Sequence, residues 1–266
     1  MTTTTDTTGL HTRHLGETGP RVLFLHGLFG QGRNWTSAGK ALAADGARVT
    51  LVDLPHHGRS AWPDHFSYVG MADTVAQLLD ADDPAVVVGH SMGGKTAMAL
   101  ALRHPDLVER LCVVDIAPVS YRSATEFTGY VEAMRAIDLG SLASRSDADA
   151  ALVDAVPDQM VRSFLLQNLR HERDGWRWQA NLEVLGRDLP RLTDWPEAEL
   201  ADAPPYPGKV LWIAGAESRY VRDEHQTAME SYFPHVRRVT IKGAGHWVHS
   251  EQPEIFLEVL RRFLPG

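Results

Sequence analysis

Gly89-His90-Ser91-Met92-Gly93-Gly94 carries the clearest chemical signal in the sequence. A serine flanked by glycines two residues away, after the apolar run AVVV and before the helix-forming run KTAMALALRH, fits a sharp strand-to-helix turn. Such a turn lifts the hydroxyl clear of the backbone at a helix N-terminus, where amide dipoles favour a developing oxyanion. The chemistry it suits is nucleophilic attack on an acyl carbon. A serine needs a base, and His246 is the expected one. It lies in Gly243-Ala244-Gly245-His246-Trp247-Val248-His249, after a strand-like run, where two glycines free the backbone to swing its ring toward Ser91. His249 is its near competitor.

A second glycine turn, His26-Gly27-Leu28-Phe29-Gly30, follows the first clear apolar run. A backbone N–H from this turn is expected in the oxyanion hole: Leu28, with Phe29 as the alternative. The N–H of Met92 is the expected second donor. His26 reads as a structural residue tying this turn. Phe29, His90, Phe164 and Trp247 are expected to contact substrate.

These residues need a scaffold. Six short apolar runs read as buried strands: Val22–His26, Val49–Leu54, Ala85–His90, Leu111–Ile116, Val210–Ala214 and Arg238–Ile241. Gly9–Gly16 is a candidate edge strand. Helix-like segments lie near 33–44, 68–81 and 92–104, and strand–helix alternation predicts a parallel sheet with crossover helices. From 119 to 206 the rhythm breaks. Ala151–Arg170 has helical spacing, aromatic residues gather at Trp176, Trp178 and Trp195, and the Pro-rich ADAPPYPG marks a junction. The expected organisation is a core of residues 1–118 and 207–266 with a mostly helical cap, 119–206, inserted into it. Phe164, Leu165, Leu169, Trp176 and Trp178 either line an acyl pocket or form the cap's own core.

Composition narrows the partners. The 266 residues carry a net charge of −8, which argues against nucleic acid as the main partner. One cysteine, Cys112, excludes an intrachain disulfide and suits a reducing cytoplasm; within its strand it reads as packed rather than reactive. The threonine-rich start lacks a signal-peptide pattern and reads as a frayed tail. No apolar run reaches the roughly 20 residues of a membrane span. His56 and His57 are adjacent, but no H-x-H-x-D or H-E-x-x-H accompanies them, so no metal is expected and the segment reads as a structural turn. No nucleotide-binding glycine motif occurs, so no cofactor is expected. Lys95 reads as solvated or facing a neighbouring helix.

From about residue 10 to the end the chain resembles the α/β-hydrolase superfamily, whose fold is a mostly parallel eight-stranded sheet flanked by helices. Most members hold their triad acid after the next-to-last strand, in a pattern like G-x-x-D-x-x-V. Here that place reads Gly215-Ala216-Glu217-Ser218-Arg219-Tyr220-Val221, with serine where the aspartate is expected. Asp115, at the end of LCVVD before Pro118, is the expected substitute, since a strand C-terminus places it on the active face and preserves the order Ser…acid…His. Glu217 and Asp223 compete with it. The motifs GLFG, GHSMGGK, VVDIAPV, ESRYV and GAGHWVH resemble a group of bacterial carboxylesterases and acyl-CoA thioesterases whose acid follows the sixth strand. That resemblance implies a cofactor-free hydrolase of small or acyl-chain esters or thioesters. Lactonase, perhydrolase, and carbon–carbon hydrolase or lyase chemistry remain open with the same triad. An acyl-CoA would bring phosphates, for which Lys95, Arg122, Arg219 and Arg222 are candidate partners.

Overall fold

The computed structural model describes residues 2–5, 8–121 and 125–265. Eight strands form one sheet: β1 (Thr2–Thr5), β2 (His11–Leu15), β3 (Arg21–Leu25), β4 (Arg48–Asp53), β5 (Ala85–His90), β6 (Val108–Val114), β9 (Lys209–Gly215) and β10 (Val236–Ile241). A separate pair, β7 (Leu169–Glu172) and β8 (Gly175–Trp178), lies between β6 and β9 in the chain. The sheet order is β1-β2-β4-β3-β5-β6-β9-β10. β2 runs antiparallel to both β1 and β4, and the other pairings are parallel.

The sheet is apolar on both faces. Along β3, Val22 and Phe24 pack into one cluster while Leu23 and Leu25 pack into the other. Val86 and Val88 oppose Val87 on β5 in the same way, and Cys112 and Val114 oppose Leu111 and Val113 on β6. Period-two alternation between two buried faces produces the continuous apolar runs of these strands. Helices α1 (Thr36–Ala44) and α11 (Pro253–Phe263) cover one face through Leu42, Phe256 and Leu260. Helices α2 (Tyr68–Ala76) and α3 (Met92–Arg103) cover the other, and α3 is buried from Met92 to Leu102.

Between β6 and β9 lie α4 (Thr125–Ala136), α5 (Arg145–Leu152), α6 (Gln159–Leu166), the β7–β8 hairpin, α7 (Leu182–Arg187) and α8 (Leu189–Thr193). Beyond β9 the chain adds α9 (Gln226–Tyr232) and α10 (Val248–Glu251). The inserted segment departs from the helical reading of Ala151–Arg170. α5 ends at Leu152, and after Pro157 Asp158 starts α6 afresh by accepting the N–H groups of Met160 (2.7 Å) and Val161 (3.1 Å). Arg170 is already in a strand, and the hairpin turns at Gly175, whose φ of 110° suits glycine. The threonine-rich start also departs from a frayed tail. Thr2–Thr5 pairs with β2 as an edge strand, as β-branched residues favour.

Candidate active site

β5 runs directly into Ser91, which adopts φ 51° and ψ −119°. A non-glycine residue holds such a conformation only where its surroundings over-determine it. The flanking glycines make the turn possible. A Cβ at Gly89 would lie 2.2 Å from the Gly93 carbonyl oxygen, and one at Gly93 would lie 2.4 Å from that of His26. The Ser91 N–H donates to the Val114 carbonyl at 3.0 Å, and its own carbonyl accepts from Lys95 at 3.1 Å.

β6 ends one residue before Asp115, which also has φ 51° and whose N–H donates to the Ile213 carbonyl at 2.8 Å. Its side chain is fully buried. Oδ1 accepts the Gly215 N–H at 3.0 Å. Oδ2 accepts His246 Nδ1–H at 2.8 Å and the Ser218 hydroxyl. The competing carboxylates lie elsewhere: Glu217 is exposed, and Asp223 pairs with Arg238 at the surface at 2.8 Å.

His246 is held from several sides. Glu251, which sequence reasoning missed, accepts the N–H groups of Gly245 (2.5 Å) and Trp247 (3.1 Å). Buried His90 donates from Nε2 to the His246 carbonyl at 2.8 Å. Tyr220 stacks on the His246 ring at 4.1 Å. With Nδ1–H given to Asp115, Nε2 keeps its lone pair and is free to accept a proton. His249 is placed differently. It stacks on Trp35 at 4.2 Å, its Nδ1 has no hydrogen-bond partner, and burial pushes its pKa down to about 3.

Two buried histidines clamp the His26–Gly30 turn. His26 Nδ1 donates to the Gly27 carbonyl at 2.8 Å, while Nε2 accepts the Leu54 N–H at 2.9 Å. His57 donates from Nδ1 to Pro55 at 3.0 Å and accepts the Phe29 N–H at Nε2, 3.2 Å away. Both rings therefore act as neutral imidazoles. Burial lowers the His26 pKa to about 4 and pushes that of His57 well below its ordinary value. The Phe29 N–H is thus committed to His57, which favours Leu28 over Phe29 as an oxyanion donor.

Two spaces meet at Ser91. A narrow cleft of about 30 Å³ is bordered by Ser91 and His246, and it gathers Phe29, His90, Phe164 and Trp247. Leu165 borders it too, whereas Trp176 and Trp178 pack against the core cluster, with Trp176 Nε1 donating to Leu142 at 3.0 Å. A larger cavity of about 390 Å³ shares Leu28 and Ser91 and reaches Met92, Tyr68, Lys95, Tyr121 and Tyr220. Of its two readings, solvated or facing a neighbouring helix, Lys95 takes the second, against the end of α8. It is 1% exposed, and its Nζ donates to the carbonyls of Thr193 (3.0 Å) and Asp194 (2.6 Å). Arg219 and Arg222 also line this cavity, and Arg122 lies outside the described residues.

Among the described residues no group of three or more histidine, cysteine, aspartate or glutamate side chains is placed to hold a metal ion. None of the described helices is long and apolar enough to cross a membrane.

Residues 20–253 match the family described as alpha/beta hydrolase fold. The chain is 40% identical over 253 residues to the sn-1-specific diacylglycerol lipase ABHD11 of Xenopus laevis, covering 92% of this chain and 80% of that protein. It is 33% identical over 245 residues to esterase YbfF of Escherichia coli K12, covering 91% and 92% respectively. Among solved structures, a marine microorganism esterase superposes with a TM-score of 0.91 at 33% identity, covering 96% of this chain and 99% of that one.

Proposed function

The chain belongs to the alpha/beta-hydrolase fold family, and on that footing we propose that it is a serine hydrolase cleaving carboxylic esters or thioesters through an acyl-enzyme. Relatives named as lipases and esterases support ester hydrolysis. The observation that carries the serine mechanism is the 2.8 Å bond from His246 Nδ1 to buried Asp115, in a cleft that His246 shares with Ser91.

In this reading Ser91 Oγ attacks the substrate carbonyl carbon while its proton passes to His246 Nε2. The N–H groups of Leu28 and Met92 hold the tetrahedral oxyanion. Collapse breaks the bond to the leaving oxygen or sulfur, which takes the proton from His246. Water then gives a proton to His246 and attacks the acyl-serine, releasing the acid and restoring Ser91. Asp115 stabilises the imidazolium formed in each half. Residues 119–206 act as a cap over the core of 1–118 and 207–266. They contribute Phe127, Val161 and Phe164 to the narrow cleft and Leu192 and Thr193 to the larger cavity.

Purified protein should hydrolyse p-nitrophenyl butyrate and take up one equivalent of a fluorophosphonate on Ser91. Ser91→Ala should abolish both. Hydrolysis that persists in Ser91→Ala, or labelling of another residue, overturns the proposal.

A further inference from the structure

The two spaces at Ser91 have different neighbours. His246 must reach the leaving atom to protonate it, and His246 borders only the narrow cleft. The leaving group therefore sits on that side, and the acyl chain extends into the larger cavity. Ile116, Phe127 and Leu192 supply apolar wall there, but Lys95 lies one helical turn beyond Ser91. Residues four apart share a helix face, with Cβ atoms about 5–6 Å apart, and the later side chain leans back toward the earlier one.

The Lys95 ammonium is buried with uncharged partners. Its two hydrogen bonds go to main-chain carbonyls, and the Tyr121 and Tyr68 rings lie 4.9 and 5.6 Å from Nζ. Among the described residues no carboxylate stands within ion-pair distance of it. The nearby Asp194 carboxylate accepts instead from the Ser120 hydroxyl and, at 2.9 Å, from the Trp195 N–H. A buried cation with no carboxylate in contact is costly; the Asp194 charge offsets part of that cost at a distance, and an anion entering the cavity relieves more of it.

We propose that this cavity is an acyl pocket selective for acyl groups ending in a carboxylate, the monoesters of short dicarboxylic acids such as succinate and glutarate, and that Lys95 is the specificity-determining residue. The inference rests on the assignment of Ser91 as nucleophile.

Titration gives it a second handle. Burial lowers the Lys95 pKa to about 7. The ammonium is present below that pH and lost above it, so recognition of an anionic chain should fade as pH rises. The other groups facing the cavity are Tyr68, Tyr121 and Tyr220, all raised by burial, together with Glu126, Arg219 and Arg222. The Asp194 charge acts on Lys95 in the opposite direction to burial, raising its pKa.

The test compares monophenyl glutarate with phenyl pentanoate, which differ only in the distal carboxylate, by phenol release from pH 6 to 9. The expected kcat/KM ratio at pH 6 favours the glutarate by about tenfold or more, the scale of one charge-assisted hydrogen bond. Above pH 7 it falls by up to about tenfold per pH unit, since kcat/KM reports the free enzyme. Lys95→Met should bring the ratio near one at every pH. The wild-type pH profile stands alone if that variant fails to fold. A ratio near one in the wild type, or one flat across the range, overturns the inference while Ser91-dependent turnover of phenyl pentanoate leaves the hydrolase reading intact. Turnover of phenyl pentanoate unaffected by Ser91→Ala overturns the hydrolase reading itself.

Discussion

The Ser218 hydroxyl donates to Oδ2 of Asp115, the same oxygen that accepts His246 Nδ1–H. Serine thus stands where most of the superfamily is expected to carry the acid, and it hydrogen-bonds the carboxylate that faces His246. The two residues are 103 positions apart and meet because β6 and β9 are neighbours in the sheet. Removing one of three donors to a carboxylate costs about 1 kcal/mol, whereas losing the carboxylate charge leaves the imidazolium without a partner. Ser218→Ala should lower kcat/KM by about fivefold and Asp115→Asn lower kcat by about 10⁴-fold. Steady-state kinetics on one activated ester check both. Equal losses would show that Asp115 is not the acid.

The same contact predicts that the acid is portable. A carboxylate at position 218 would start from a site already within hydrogen-bond reach of Asp115 Oδ2. The double variant Asp115→Ala with Ser218→Asp should regain about tenfold or more in kcat over Asp115→Ala alone, the value of a restored charge-assisted bond. No gain over the single variant would place position 218 out of reach of His246.

His249 offers a prediction with a sign fixed by linkage. Its folded pKa, about 3, lies below the ordinary 6.5, because burial opposes charge. The unfolded chain therefore binds a proton below about pH 6.5 that the folded chain refuses, and stability falls as pH drops from there toward 3. His26, lowered to about 4, acts in the same direction. At 1.36 kcal/mol per pKa unit, the His249 contribution is on the order of 5 kcal/mol. His249→Phe keeps the stacking on Trp35 and removes the titration. Its thermal midpoint should decline less between pH 6.5 and 4, while ester turnover persists. Loss of turnover with folding intact would instead make His249 a candidate for the base.

Two glycines should respond oppositely to alanine. At Gly89 the added Cβ would meet the Gly93 carbonyl oxygen at 2.2 Å, with backbone on both sides and no flexible side chain to yield. Gly89→Ala should destabilise by about 3 kcal/mol or more. Gly129, inside α4, has nothing within 4 Å of the same position. Gly129→Ala should stabilise by about 0.5–1 kcal/mol. Urea unfolding of both variants beside the wild type measures the difference.

What the sequence revealed depended on where each residue's partners lie along the chain. The core strands were readable because burial on both faces leaves continuous apolar runs such as Val86–Val88. The turn at Ser91 was readable because its geometry demands glycines within two residues. Lys95 was not. Its burial is set by the carbonyls of Thr193 and Asp194, some 98 and 99 positions away, and no local pattern announces them. The β7–β8 hairpin was missed for another reason: its strands are only four residues each, β7 is largely polar, and only Asp174-Gly175 marked the turn. Glu251 belongs to no motif that the chemistry singles out, although it clamps the loop carrying His246. The roles of Tyr68, Tyr121 and Tyr220 around the larger cavity were equally hidden, since each comes from a different part of the chain.

Cys112, the single cysteine, lies inside β6 with no exposure, and burial pushes its thiol pKa up. It is closed to alkylating reagents while the protein is folded. The chain is therefore ready for site-specific labelling without prior removal of a native thiol. A cysteine placed at Met160, which is 64% exposed at the start of α6, would be the one reactive thiol on the molecule. A spin label or fluorophore there would follow displacement of the inserted segment during turnover.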